Sequence, residues 1–401
     1  MTRTNPHAPV IVAAARTAIG RSFKGTLRDT TAMELADTVV TAVIDRSGLS
    51  PDLIDDIILA ESMYGGGDLA RHAAVSTGLA HLPGQAVNRH CAGSLTALGN
   101  AAAAIGSGME QAVLAGGVQS TSTAPRLAFR TPGTEDAYDG SWMPPTHPDS
   151  TEAPNRDMSI TVGWNTAREI GISRQQMDAW AVRSHERAIA AIRSGAFEDE
   201  IVPVSALRAD GGRTAFRVDE FPRADTTLDK LAALKPLHPE IEDFSITAGN
   251  SSGINDAAAA VLVTSAGLAA QQGLAPLAEV RAWAATGIDP ARTGLAVLDV
   301  IPKVLRRAGL GIDDIALWEI NEAFASVPVA ACLELGIDDK RVNTAGSGCS
   351  LGHPVAASGA RMIVTLVHEL RRRGGGHGVA AMCAGGGQAG AVVVTVPGET
   401  A

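Results

Sequence analysis

Two cysteines stand in segments whose residue types could do chemistry. Cys91 lies in Val87-Asn88-Arg89-His90-Cys91-Ala92-Gly93-Ser94, and Cys383 in Met382-Cys383-Ala384-Gly385-Gly386-Gly387-Gln388. Between them come Asn321-Glu322-Ala323-Phe324-Ala325 and Gly352-His353-Pro354. Two thiols, an imidazole, a carboxamide and glycine-rich backbone suit carbon–carbon bond making or breaking on a thioester. One thiol can hold an acyl group while the other moves a proton on carbon. Backbone N–H groups can hold the enolate.

Each residue also has a plainer reading. Cys91 directly precedes an expected helix over 94–106. A helix N-terminus favours a thiolate and would lower the thiol pKa from about 8.5; a lone cysteine is otherwise a small buried apolar residue. Pro354 suits a first helical position, which would aim His353 from a loop toward a thiol proton; a loop histidine bonded to solvent is the alternative. Gly385, Gly386 and Gly387 follow a strand-like run over 378–382. Inward-turned N–H groups there would form an oxyanion hole, or simply a turn between strands. Asn321 follows strand-like 315–320 and, taken alone, reads as a helix N-cap. The segment Gly249-Asn250-Ser251-Ser252-Gly253 could bind a ligand amide or be an ordinary turn. His90, His147, Cys332 and Cys349 receive no role, and a solvated side chain is the default for His147.

These groups need elements to bring them together. With 401 residues, 45% hydrophobic and 19% charged, the chain can build a large core, as two to three domains or one doubled domain. Aromatics are only 3%, so that core is made of Ala, Val, Leu and Ile. Apolar strand-like runs (10–14, 56–60, 112–115) alternate with Ala-rich helical runs (31–47, 94–106, 359–373). This implies an α/β fold with mainly parallel strands. An internal echo joins 53–61 to 311–319; in each copy a helical stretch, a Val-Asn pair (Val87-Asn88, Val342-Asn343), a Gly/Ser/Cys-rich turn and an Ala-rich helix follow. One unit used twice explains this, with the site where the copies meet; independent use of Ile and Asp-Asp at strand entries is the alternative.

The middle breaks the alternation. Residues 125–156 are rich in Pro, Gly, Thr and Asp, and 202–236 are again irregular. Between them 173–196 reads as a helix, with Ser173 as its cap and Gly195 as its terminator. A lobe over about 120–250 would cover a ligand. The uncharged run 257–278 is interrupted by polar residues, Gly and Pro, and reads as a buried helix or strand passing into a turn.

The ordered set of motifs closely resembles the thiolase family. It comprises Arg16-Thr17-Ala18-Ile19-Gly20, Cys91, Gly249 to Asp256, Asn321-Glu322-Ala323-Phe324, Gly352-His353-Pro354 and Cys383-Ala384-Gly385-Gly386-Gly387. The resemblance implies a thiolase fold: two duplicated α/β halves in a five-layered αβαβα body, with an inserted loop domain. The divisions expected are 1–119 plus 251–274, 120–250, and 275–401. It implies acyl transfer between coenzyme A and acyl-CoA, through thiolytic cleavage or Claisen condensation of a 3-ketoacyl-CoA. Cys91 would be acylated and His353 would activate it. Cys383 would be the acid/base at the α-carbon. His353 and a water on Asn321 would stabilise the enolate, and Gly385 N–H the acyl-enzyme oxyanion. Ser252 matches a residue along the pantetheine, and Arg223 one near the adenine nucleotide. Coenzyme A is then a co-substrate, with no tightly bound cofactor and no metal, and the assembly a homodimer or homotetramer.

Three departures accompany the resemblance. Gly93-Ser94 replaces the usual Ser-Gly order, 158–163 differs from the usual loop segment, and 142–156 does not match the usual covering loop. A β-ketoacyl synthase would lack a second cysteine in the C-terminal glycine turn, and a non-catalytic coenzyme A or lipid-binding subunit would not need the full Cys/Asn/His/Cys set. The formal charge of −10 argues against a nucleic-acid binder. Four cysteines without metal or disulfide spacing fit a reducing compartment, and no signal or membrane segment is expected, so the cytoplasm is the expected location.

Overall fold

The computed structural model describes residues 5–62, 67–139, 145–208 and 210–398. Its main sheet uses β1 (Pro9–Thr17), β2 (Asp56–Ala60), β3 (Gly84–Val87) and β4 (Ala112–Gln119). A separate hairpin, β5 (Val204–Leu207) and β6 (Arg213–Phe216), follows in the chain. The main sheet then continues with β7 (Asn255–Ser265), β8 (Ala278–Gly287), β9 (Ile315–Ile320), β10 (Gly376–Ala384) and β11 (Gln388–Val396). The strands lie in the order β9-β10-β11-β8-β1-β7-β4-β2-β3.

That order is a mirror about the β1–β8 junction. Outward from it, β1-β7-β4-β2 matches β8-β11-β10-β9. In both arms the inner two pairs are antiparallel and the outer pair is parallel. β2 and β9 are the two copies of the sequence echo. Val87 pairs in parallel with Ala60 at the end of β2, and Val342 with Trp318 near the end of β9. The expectation of mainly parallel strands is corrected: only the outer pairs and one short strand run parallel. The reason is that β7 and β11 return beside the strands that precede them. For β11 the return takes three residues, which only antiparallel pairing allows.

Helices cover these arms because their strands are apolar on both faces; all eleven residues of β7 are buried. α1 (Ala32–Ser47) starts at a Thr31–Glu34 capping box and ends at left-handed Gly48. α2 (Gly93–Gly106), α3 (Arg174–Arg193), α4 (Ala296–Ala308), α5 (Ser326–Leu335) and α6 (Ser358–Arg372) follow. α2 and α6 pack on each other and on strands of both arms, so they form a middle layer. α1 covers the outer face of one arm, and α4 and α5 the other. The body is therefore layered helix–sheet–helix–sheet–helix.

The middle of the chain is more ordered than its composition suggests. α3 is capped by Ser173 through a box with Gln176, and Gly195 takes a φ of 73°. Residues 202–236 contain the β5–β6 hairpin, with Val204 and Ala206 facing inward. The run 257–278 is the end of β7, a short helix (Ala266–Gln271) and the entry to β8. Residues 140–144 of the long excursion, and so the first part of the departure at 142–156, lie outside the described residues. Arg16 ties the middle to β1: its buried guanidinium meets Glu200 at 2.6 Å and Asp219 at 2.8 Å. Burial disfavours that charge, but the two carboxylates hold its pKa above the ordinary value. Removing either partner would cost about 3–5 kcal/mol.

Candidate active site

A cramped turn presents Cys91. Asn88 Oδ1 accepts the His90 N–H at 2.8 Å, and His90 takes a left-handed φ of 46°. Gly93 N then donates to His90 O at 3.0 Å. A Cβ on Gly93 would stand 2.8 Å from the Ala60 Cβ, so glycine lets this turn sit on the end of β2. Ser94 Oγ accepts the Ala360 N–H at 2.9 Å and joins the first turns of α2 and α6. The Gly93-Ser94 order thus has a packing reason in this chain.

Cys383 pairs with Ala389 beside the turn that joins β10 to β11. Gly386 and Gly387 have φ of 80° and 73°, which a β-carbon would oppose. The Gly385 backbone N–H faces Cys91 and favours its thiolate. Burial nevertheless pushes the Cys91 thiol up to about 11, with Gly385 and its own N–H pulling partly back. The expected lowering by the helix start is therefore overturned: α2 begins two residues later, and desolvation outweighs its pull. Burial pushes Cys383 higher still, and a charge on neighbouring Cys91 would add to this.

His353 is buried at the start of the α6 approach. Its N–H donates to Asn255 Oδ1 at 3.1 Å. Nδ1 lies 2.6 Å from Ser358 Oγ, whose hydroxyl donates to Pro354 O at 2.9 Å. When the Ser358 hydroxyl donates to Pro354 O, Nδ1 donates to Ser358 Oγ and the lone pair is on Nε2. Nε2 is buried without a partner. Burial, aided by Arg361, lowers the imidazole to about 4, so it rests neutral. Pro354 is not the first helical residue: its carbonyl accepts both Ala357 N and Ser358 N in a turn, and α6 starts at Ser358.

Asn321 is no helix cap, because α5 starts five residues later. It continues the β9 pairing, with its N–H on Ala381 O at 3.0 Å. Its Nδ2 lies 3.4 Å from His353 Nδ1, and its Oδ1 is buried without a partner. Residues 249–253 are more than a turn: Ser252 N donates to Ala323 O, and Ala325 N to Asn250 O, each at 2.9 Å. Phe221 packs on Gly253 and lies under the exposed Arg223 guanidinium, 5.7 Å from the ring centre. Half-buried Ser252 and exposed Arg223 are thus joined through Gly253 and Phe221. No group of three His, Cys, Asp or Glu placed to hold a metal occurs among the described residues.

Family models for the thiolase N-terminal domain and the thiolase C-terminal domain match residues 9–267 and 274–396. The chain belongs to the thiolase family. It is 38% identical to an acetyl-CoA acetyltransferase of Cupriavidus necator, over 96% of this chain and 98% of that one. An Escherichia coli acetyl-CoA acetyltransferase is 40% identical with the same coverage. The crystal structure of the Bacillus anthracis acetyl-CoA acetyltransferase superposes with a TM-score of 0.89 at 35% identity, covering 97% of this chain and 99% of that one. This thiolase is an acyltransferase, and neither a synthase-like nor a non-catalytic reading is favoured.

Sequence reasoning passed over Glu322. Trp180 Nε1, Ser184 Oγ, Asn343 Nδ2 and Cys349 N all donate to its carboxylate, at 2.9, 2.6, 2.8 and 3.1 Å. It thereby fixes the residue next to Asn321 against α3 and the 343–349 loop. A carboxylate directly after a buried strand was the available signal. His147 is held by its own loop: Thr146 Oγ1 and Ala153 O lie 2.6 and 2.8 Å from its two ring nitrogens.

Proposed function

We propose that this thiolase interconverts 3-ketoacyl-CoA plus coenzyme A with two acyl-CoA molecules, through an acyl group carried on Cys91. The observation that supports this most is the buried, unpartnered pair of His353 Nε2 and Asn321 Oδ1, held side by side with Asn321 Nδ2 3.4 Å from His353 Nδ1. Thiol and imidazole both rest neutral. His353 Nε2 takes the thiol proton as sulfur attacks the thioester carbonyl. The Cys91–carbon bond forms, the coenzyme A sulfur–carbon bond breaks, and the leaving thiolate receives that proton.

With Cys91 acylated, the neutral His353 Nε2 is free to accept a second proton, and Cys383 gives it one. As the resulting thiolate, Cys383 removes the α-proton of a second acyl-CoA, while His353 Nε2 keeps the proton it received. The enolate is held by His353 and the Asn321 carboxamide through a water. Carbon–carbon bond formation expels the Cys91 thiolate, which takes the proton held on His353, leaving Cys383 as a thiol and the imidazole neutral. Cleavage runs these steps backward. Ser252 and Arg223 would hold coenzyme A, as a co-substrate rather than a resident cofactor.

The mirrored strand order supports dividing the chain into 1–119 with 251–274, 120–250, and 275–401. Four free thiols support a reducing, cytoplasmic setting, and no helix among the described residues is long and apolar enough to span a membrane. β3 leaves an exposed sheet edge that a second copy could pair with, which supports a homodimer or homotetramer. The test is loss of ketoacyl absorbance when a panel of 3-ketoacyl-CoA substrates meets free coenzyme A. Turnover by the wild type and its loss in Cys91→Ala, by about 10⁴-fold or more, is expected; wild-type turnover in Cys91→Ala would reject the assignment.

A further inference from the structure

The Gly385 N–H can serve Cys91 only if the glycine turn holds one conformation. Two successive left-handed glycines make that turn the least constrained kind of backbone. A donor must be held to within about 0.5 Å to act. The turn is braced from two sides. Thr293 Oγ1 accepts the Gly387 N–H at 3.0 Å, and Ile288 N donates to Gly387 O at 2.6 Å.

The other side is the Pro-rich excursion. A Cβ built on Gly386 would stand 2.9 Å from Thr146 Cβ and 3.1 Å from its Oγ1, so Thr146 lies directly on the turn. Asn155 holds it there. Its buried Oδ1 accepts Thr146 N at 2.9 Å, Thr146 Oγ1 at 3.1 Å and His147 N at 3.3 Å, while Nδ2 donates to His147 O at 2.5 Å. Asn165 Nδ2 donates to both Glu152 O and Ala291 O at 2.8 Å, tying this loop to the segment that carries Thr293. Loop and turn thus share one support.

We propose that Thr146, clamped by Asn155, is a positioning residue that bears on Gly386 and fixes the Gly385 N–H on Cys91. The proposal rests on the reading of Cys91 as nucleophile and deepens it. It assigns a task to the stretch in which this chain departs from the usual covering loop.

Acetylation of Cys91 by acetyl-CoA, followed by rapid quench on the full chain, tests it. Thr146→Gly removes the bearing atoms and should slow acetylation about tenfold or more, with KM changed less than about twofold. Thr146→Ser keeps Cβ and Oγ and should stay within about twofold of wild type. Thr146→Ala keeps only Cβ and should fall between them, which serves if the glycine variant does not fold. Wild-type rates in both Thr146→Gly and Thr146→Ala would overturn the proposal, as would an equal loss in Thr146→Ser. If the wild type itself gains no acetyl group on Cys91, the nucleophile reading falls, and the positioning role with it.

Discussion

The two strand–turn–helix units that meet at the site begin alike and end on different groups. After β2, Val87-Asn88 leads to a half-buried sulfur; after β9, Val342-Asn343 leads to a buried imidazole. Asn88 spends its carboxamide oxygen on the next turn, at His90 N. Asn343, itself left-handed, turns back instead: Ile320 N, Ile320 O and Glu322 all bind its amide at 2.8 Å. One copy of the motif is opened to present a nucleophile, and the other is closed to desolvate a base. The lesson is that a shared backbone path leaves its side-chain partners free to present different groups.

The largest expected effect separates the two thiols. Cys383→Ala should keep single-turnover acylation of Cys91 and lose carbon–carbon bond chemistry by about 10²–10⁴-fold. Quench-flow acetylation beside steady-state turnover reads both, and a loss of acylation equal to that of turnover would merge the two roles. Breaking only the closed unit comes next. Glu322→Ala strands four donors and should lose about 3 kcal/mol or more of stability by urea melts.

The closed unit should also be acid-sensitive. His353 has its pKa depressed from 6.5 to about 4, so the unfolded chain binds the extra proton between those values. Stability from neutral His353 is full above pH 6.5 and is lost as pH falls toward 4, by about 3 kcal/mol. The stability difference between wild type and His353→Gln should shrink by that amount over this window, and a flat difference would contradict the burial argument. The smallest effect belongs to the open unit. Gly93→Ala drives a Cβ into Ala60 and should cost about 1–3 kcal/mol, with Ala60→Gly restoring part of it.

Where one residue type has one strong local preference, the chain could be read directly. Ser173 and Gly195 bound a helix because a hydroxyl cap and a left-handed glycine leave few alternatives, and β2 follows its apolar run. The echo of 53–61 in 311–319 foretold the mirrored arms. Strand direction was not legible, since it depends on where β7 and β11 return. Asn321 looked like a cap because its partner, His353, lies 32 residues away. The direction of the Cys91 shift is not legible in sequence, because a helix start is visible there while desolvation is a property of the packed site. The Asn155 clamp hid in a stretch whose prolines suggest no order.

The most direct measurement is peptide mapping of the chain after a brief exposure to acetyl-CoA. The account predicts an acetyl group on the peptide containing Cys91, in wild type and in Cys383→Ala alike, and none in Cys91→Ala. An acetyl group found instead on Cys383, or persisting when Cys91 is replaced, would contradict it.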